Sequence, residues 1–178
     1  MADEKKMKAA FKEGAKRGVE LEGASDLSGI QFYNVSIETP EGDVALIEEV
    51  MKGMNVEVDE NAEERRGGSG NIGKLIVSAG ETQLAAMTYV PESKKEQLDA
   101  KVWLEGLIKQ YEGTIVKEDK GIAIAVIKQN GEKGIYPLKV RDELIGASIK
   151  FLQDKELFPI LNDDDDDEYI YGDDDFEV

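Results

Sequence analysis

The sequence predicts an α+β fold in which antiparallel hairpins form a sheet and helices pack on one face of it. Apolar residues alternate with polar ones in several short runs, which is typical of strands, and recur every three or four residues in longer runs, which is typical of helices. The short runs come in pairs separated by tight turns, so the paired strands should be antiparallel. The predicted element order is β-α-β-β-α-β-β-α.

The first strand and the first helix of this order lie in residues 30–54. Residues 30–39, "IQFYNVSIET", predict a strand because apolar and polar side chains alternate along them. The turn "PEGD" follows, and its Asp43 can cap the next helix. That helix has one apolar stripe, formed by Val44, Ile47, Met51 and Met54.

Two hairpins and two further helices complete the order. "KLIVSA" and "QLAAMTYV" flank the turn "GET", and "TIVKE" and "GIAIAVIK" flank "DKG". Residues 98–113 predict the strongest helix, which Gly113 should end. We interpret Trp103 and Tyr111 on this helix as core residues rather than as a surface that stacks on bases. Pro137 should open the last helix, residues 138–153.

The two ends of the chain carry opposite charge. The 178 residues have a formal charge of −17, but residues 1–17 hold six Lys or Arg against three acids, and residues 163–178 hold ten acids and no base. We therefore divide the chain into a basic helix and linker (1–29), an α+β domain (30–161) and an acidic tail with aromatic residues (162–178). We expect the tail to be disordered in isolation, because it cannot bury enough apolar surface to offset its ordering entropy.

The composition excludes most catalytic chemistry. The chain has no His and no Cys, which removes imidazole bases, thiolate nucleophiles and ordinary zinc sites. We expect no enzyme activity, no cofactor and no metal site. No long apolar run and no signal peptide are evident, so we expect no membrane association and a cytoplasmic or nuclear protein.

The stretch "RRGGSGNIGKLIVSA", residues 65–79, contains both G-x-G-x-x-G and most of a P-loop pattern. A phosphate-binding glycine loop joins a strand to a helix, so that backbone N–H groups and the helix N-terminus face the anion. Here no strand precedes the glycines, a strand follows them, and Leu75 occupies the position of the metal-binding Ser or Thr. We therefore predict a mobile loop whose glycines match the motif by composition.

Residues 30–152 resemble the C-terminal domain of alanyl-tRNA synthetase. The stretches that carry the resemblance are "IQFYNVSIETPEGDVALIEEVMKG", "KLIVSAGETQLAAMTYVPE", "LDAKVWLEGLIKQYEG" and "RDELIGASIKFLQ". In that family the helix with the central Trp runs into a glycine- and lysine-rich segment that contacts tRNA. The corresponding segment here is "YEGTIVKEDKG", in which Gly113 fits and Lys117 and Lys120 fit loosely. The freestanding editing relatives hold zinc with His and Cys, which this chain lacks.

These observations lead to hypotheses of a binding protein rather than of an enzyme. In the first, the chain is a subunit or accessory factor of a larger, RNA-containing complex and binds tRNA or other RNA. The resemblance implies Lys117 and Lys120 as contacts. The basic N-terminal segment adds Lys5, Lys6, Lys8, Lys12, Lys16 and Arg17 as phosphate contacts.

The alternative is an acidic chaperone or adaptor whose tail binds basic proteins such as histones. Acidic runs with spaced aromatic residues suit a basic, partly apolar groove. The predicted contacts are Asp163, Asp164, Asp165, Asp166, Asp167, Tyr169, Tyr171, Asp173, Asp174, Asp175 and Phe176. A purely structural component of a complex, or a homo-oligomer, is a third reading. The sequence leaves open whether the two charged ends pair with each other.

Overall fold

The computed structural model describes residues 4–58, 61 and 66–159. It contains α1 (Glu4–Ser28), β1 (Phe32–Ser36), α2 (Val44–Asn55), β2 (Gly73–Ala79), β3 (Gln83–Tyr89), α3 (Ala100–Ile108), β4 (Thr114–Asp119), β5 (Ile122–Lys128) and α4 (Pro137–Asp154). The five strands form one sheet in the order β1-β2-β3-β5-β4. The predicted α+β class is confirmed. Among the described residues, no helix is long and apolar enough to cross a lipid bilayer.

Both predicted hairpins are present. β2 pairs antiparallel with β3, and β4 pairs antiparallel with β5. β1 differs because it pairs parallel to β2, with Phe32 opposite Gly73 and Ser36 opposite Val77. A parallel pair needs a crossover, and α2 supplies it between the two strands. The sheet is therefore antiparallel except at this edge.

The helices cover both faces of the sheet, so the prediction that they pack on one face is wrong. α3 and α4 pack on the face that contains Leu75, Leu84 and Ala125. α1 and α2 cover the face that contains Met87 and Ile124. The physical reason is that β2, β3 and β5 are apolar on both faces and nearly continuously buried, which requires a layer of helices on each side.

Helix α1 runs to Ser28, so residues 20–28, predicted as part of a linker, are helical. Leu21 packs against the core on the α2 side, and Ser25 is buried with its hydroxyl donating to the carbonyl oxygen of Ile30 at 2.6 Å. Gly29 then ends the helix with a left-handed backbone (φ 78°) and an N–H bond to the carbonyl of Ser25. These contacts offset the poor helix propensity that Gly23 gives this stretch.

α1 packs along α2 through backbone rather than through large side chains. Gly14 lies against Val50 and Gly18 against Met54, so the two helices run in the same direction. A Cβ atom at Gly14 would lie 1.9 Å from the carbonyl oxygen of Val50, and one at Gly53 of α2 would lie 2.1 Å from that of Phe11. The close approach of the two helices therefore requires glycine on both of them.

We expect Gly14→Ala to lower the free energy of unfolding by about 1–3 kcal/mol, because the added methyl group overlaps the backbone of α2. Gly23→Ala is the matched control in the same helix, because a Cβ atom added at Gly23 would have no other atom within 4 Å. It should raise the free energy of unfolding by about 0.5–1 kcal/mol through helix propensity. Urea unfolding followed by circular dichroism measures both, and equal effects of the two substitutions would contradict the packing of α1.

Candidate functional site

The loop before β2 ends at a buried lysine. Lys74, the second residue of β2, has no exposed surface. Its Nζ donates to the carbonyl oxygens of Ser69 (2.5 Å) and Ile72 (3.0 Å), and to Oδ1 of Asn55 (2.5 Å). The hydroxyl of Ser69 lies 3.1 Å away, and the Tyr89 ring centroid 4.7 Å away. Oxygens and one aromatic face thus surround the ammonium group.

This ammonium group has no carboxylate partner among the described residues. Burial lowers the pKa of Lys74 to about 7. The surrounding oxygens and the negative end of the α2 dipole, where Asn55 is the last helical residue, act in the opposite direction and favour the charged form. The arrangement attaches the loop to the end of α2, because the same nitrogen binds a side chain of α2 and two backbone carbonyls of the loop.

We call residues 66–72 the glycine loop. Its backbone amides bind the protein rather than facing an open cradle, with Gly67 and Gly68 in left-handed conformations (φ 68° and 88°) that favour glycine. The hydrogen bonds run from Gly67 N to Ala15 O (2.8 Å), from Gly68 N to Val56 O (2.9 Å) and from Ser69 N to Met54 O (3.0 Å). The described part of the loop is thus bonded to both α1 and α2.

Two predictions about this loop are decided by these contacts. The expectation that it does not join a strand to a helix is confirmed, because it connects the segment after α2 to β2. The expectation that the glycines are present by composition alone is wrong for Gly67 and Gly68, whose backbones are left-handed, and the expectation of a mobile loop stays a prediction. Gly67 also lies close to the residue that follows α2, because a Cβ at Gly67 would be 2.3 Å from the carbonyl oxygen of Val56.

An apolar groove of about 490 Å³ lies beside this cluster, between α2 and the sheet. Its apolar lining comes from Phe11, Met51, Val56, Met87 and Ile122. The groove also contacts Asn55 and Tyr89, which lie between it and the Lys74 ammonium. A molecule in the groove would meet the amide and the phenol ring rather than the buried amine, so the geometry gives Lys74 a structural role.

The outer face of α1 carries four exposed lysines. Lys5, Lys8, Lys12 and Lys16 are spaced by three, four and four residues, which places them on one side of a helix. No acid of the described residues lies within ion-pair distance of any of the four. Like charges three or four residues apart destabilise a helix by about 0.2–0.5 kcal/mol per pair. We call these four side chains the lysine face.

The structure separates the other two predicted basic contacts from this face. Arg17 lies on the flank of α1, where its Nε is 3.7 Å from a carboxylate oxygen of Glu20. Lys6 is exposed and lies on the same flank by helical spacing. Glu13 shares that flank, so opposite charges are mixed there. Within the predicted basic segment, the lysine face is the surface on which all the charged side chains are positive.

Lys117 and Lys120 lie on a different element from the lysine face. Lys117, on β4, forms an ion pair with Glu48 of α2. Lys120 is exposed in the turn between β4 and β5. β4 is an edge strand with a bulge between Ile115 and Lys117, which is typical of edges protected against pairing with further strands. The ammonium of Lys117 is thus already paired within the protein.

Trp103 is fully buried, which confirms its interpretation as a core residue. Its Nε1 donates to the hydroxyl of Ser148 at 3.0 Å, and that hydroxyl donates in turn to the side chain of Asn34. The three groups join α3, α4 and β1. Tyr111 is half-buried, and its hydroxyl donates to Glu143 at 2.8 Å. Burial, together with this bond, raises the pKa of Tyr111 to about 12.

Sequence reasoning missed the burial of Lys74. A signal for it exists in the alternation of β2, where Lys74 has the same parity as the buried Ile76. Because successive strand residues face opposite sides, a lysine with inward parity near a strand end predicts a buried ammonium that needs oxygen ligands.

The predicted tail contacts, from Asp163 to Phe176, lie outside the described residues. Within the described residues, no group of three or more Asp or Glu side chains is arranged to hold a metal ion. Comparison with models of known protein families found no match, and comparison with curated proteins found none either. The resemblance to the alanyl-tRNA synthetase C-terminal domain therefore stays a prediction from the sequence.

We expect the Lys74 amine to titrate near pH 7, whereas an unfolded lysine titrates near 10.5. Between these values the unfolded chain binds one more proton than the folded one, so the free energy of unfolding should rise with pH in this window. The maximum slope is about 1.4 kcal/mol per pH unit. Lys74→Met removes the titrating group. The free energy of unfolding of this variant, measured as a function of pH, should therefore not show the rise expected from Lys74.

Carbon NMR of the lysine Cε resonances gives a direct readout that does not depend on how well Lys74→Met folds. One lysine resonance should move with a midpoint near 7 and be missing in the variant. A set of lysine resonances that all titrate above pH 9.5 or so, an exposed-lysine value, would contradict the buried amine.

Proposed function

We propose that this protein is a non-catalytic binding module that works as a subunit or accessory factor of a larger assembly, with the lysine face of α1 as its contact to RNA. The observation that carries the proposal is the unpaired, single-sign charge of Lys5, Lys8, Lys12 and Lys16 on a helix fixed to the domain. The remainder of the chain is acidic, so an anion would be attracted to this face and repelled elsewhere.

Three features support a binding role over a catalytic one. The composition lacks His and Cys. The ammonium with the most perturbed pKa, that of Lys74, is enclosed by its own loop. The apolar groove between α2 and the sheet has only Glu48, Lys52, Asn55 and Tyr89 as polar lining. Lys52 is held by Glu49 at 2.9 Å, so no pair of free acid and base groups converges there.

The regular spacing of the lysine face favours a polyanion over a small anion. Four lysines along α1 span 11 residues, or about 17 Å at 1.5 Å per residue. Phosphates recur every few ångströms along a nucleic-acid backbone, so a chain of phosphates can contact several lysines at once. The resemblance to a tRNA-binding domain supports RNA as the polyanion. Its implied contacts Lys117 and Lys120 would then form a separate, weaker contact.

We expect the variant with Lys5, Lys8, Lys12 and Lys16 all changed to Gln to lose most of its tRNA affinity. The slope of log K against log salt should fall in magnitude by about 3, as expected for four lost phosphate contacts. The matched control changes four exposed lysines of other elements, Lys109, Lys128, Lys139 and Lys150, and alters net charge equally. Filter binding over a series of salt concentrations measures both variants.

Equal loss in the two variants would show a general effect of net charge and would contradict a lysine-face site. Substitution is the sharper experiment here, because deleting residues 1–17 would also remove the packing of Gly14 against Val50. A wild-type protein that shows no salt-dependent tRNA binding would remove RNA as the partner.

The second candidate is a chaperone or adaptor that binds basic proteins through residues 163–178, and the ten acids with interspersed Tyr and Phe favour it. Ending the chain at Asn162 should abolish capture of histones. Changing Tyr169, Tyr171 and Phe176 to Ser, with all acids kept, should weaken capture by about tenfold or more if rings supply desolvated contacts. Unchanged histone capture by the chain ending at Asn162 would discard this candidate.

A further inference from the structure

The described part of the fold ends beside the end of α1. Gln153 Nε2 of α4 donates to the carbonyl oxygen of Pro159 at 3.0 Å. Pro159 and Leu157 line a surface cavity of about 540 Å³ that is also lined by Ser28 and Gly29 at the end of α1. The 19 residues that follow Pro159 therefore start next to the C-terminal turn of α1.

The lysine face begins within reach of this point. Lys16 lies 12 residues before Ser28, or about 18 Å along the helix, and Lys5 lies about 35 Å from it. An extended chain covers at most roughly 3.3–3.6 Å per residue. Asp163 can therefore reach about 13 Å from Pro159, and Asp175 more than 50 Å. The two acidic runs of the tail together cover the whole distance from Lys16 to Lys5.

An exposed apolar side chain lies between the start of the tail and the lysine face. Leu27 is 92% exposed, the most of any large hydrophobic residue in the described structure. It lies 11 residues after Lys16, which places it on the same side of α1 as the lysines. The tail alternates acidic runs with apolar residues, so the outer face of α1 offers it both complementary charge and one apolar contact.

We propose that residues 163–178 bind back onto the outer face of α1 in the same molecule, with their acids against Lys5, Lys8, Lys12 and Lys16. The lysines lack carboxylate partners among the described residues, and the tail carries ten carboxylates and no base. Attachment at Pro159 gives the tail a millimolar effective concentration, so weak ion pairs suffice. A polyanion that binds the lysine face must displace the tail.

The absence of Cys in the native chain allows a clean test in the full-length protein. Gly172→Cys introduces a single site for a nitroxide label and leaves the acids and aromatic residues in place. The label should broaden the NMR amide signals of residues 5–16 by twofold or more relative to the reduced label. The broadening should disappear at 1 M salt, where the Debye length is about 3 Å.

Two variants and one mixture decide the result. Changing Lys5, Lys8, Lys12 and Lys16 to Gln should abolish the broadening, and changing Lys109, Lys128, Lys139 and Lys150 to Gln should leave it. Unlabelled ¹⁵N protein mixed with nitroxide-labelled ¹⁴N protein should show none. The proposal would be overturned by broadening in the mixture or by broadening that persists when the lysine face is changed to Gln. It would also be overturned if the labelled protein with its native lysines showed no broadening on α1. This readout needs no RNA, so its failure is separate from that of the RNA site.

Discussion

The position of α1 depends on the direct packing of its backbone against the backbone of α2. Gly14 and Gly18 on one helix and Gly53 on the other leave no space for a side chain, so the contact depends on close fit rather than on a large apolar area. The buried residues of α1 are small, mainly alanine and glycine. With the inner side held in this way, the long charged side chains of the helix have only the solvent side to occupy, and the lysine face results.

The Lys74 cluster reinforces this contact at the C-terminal end of α2. The ammonium binds carbonyls of the glycine loop, and Gly67 in that loop donates to the carbonyl of Ala15 in α1. A buried cation without a carboxylate is costly unless oxygens replace its water. The loop supplies these oxygens by turning its carbonyls inward, which its left-handed glycines permit. One desolvated amine thereby couples β2, α2, the loop and, through Gly67, α1.

The sequence predicted the local elements better than their arrangement. The Asp43 cap, the hairpins and the helix around Trp103 follow from short patterns, and the structure contains them. The second layer of helices was missed, although β2, β3 and β5 are apolar on both faces. The extent of α1 was missed because propensity disfavours its glycines, whereas Gly14 and Gly18 are required by contacts with residues more than 30 positions away, and the end of the helix is held by the bond from Ser25 to Ile30.

The candidate site shows the same division between local pattern and tertiary context. The sequence identified six basic residues near the N-terminus, but only helical spacing and the packed side of α1 select four of them as one surface. Arg17 and Lys117, equal to the others in sequence, are paired with Glu20 and Glu48. Lack of a partner is not by itself distinctive, because Lys109, Lys128, Lys139 and Lys150 are also exposed and have no carboxylate of the described residues within ion-pair distance. What distinguishes Lys5, Lys8, Lys12 and Lys16 is that they are neighbours on one side of a single helix, and the proposed contact with a polyanion rests on that clustering.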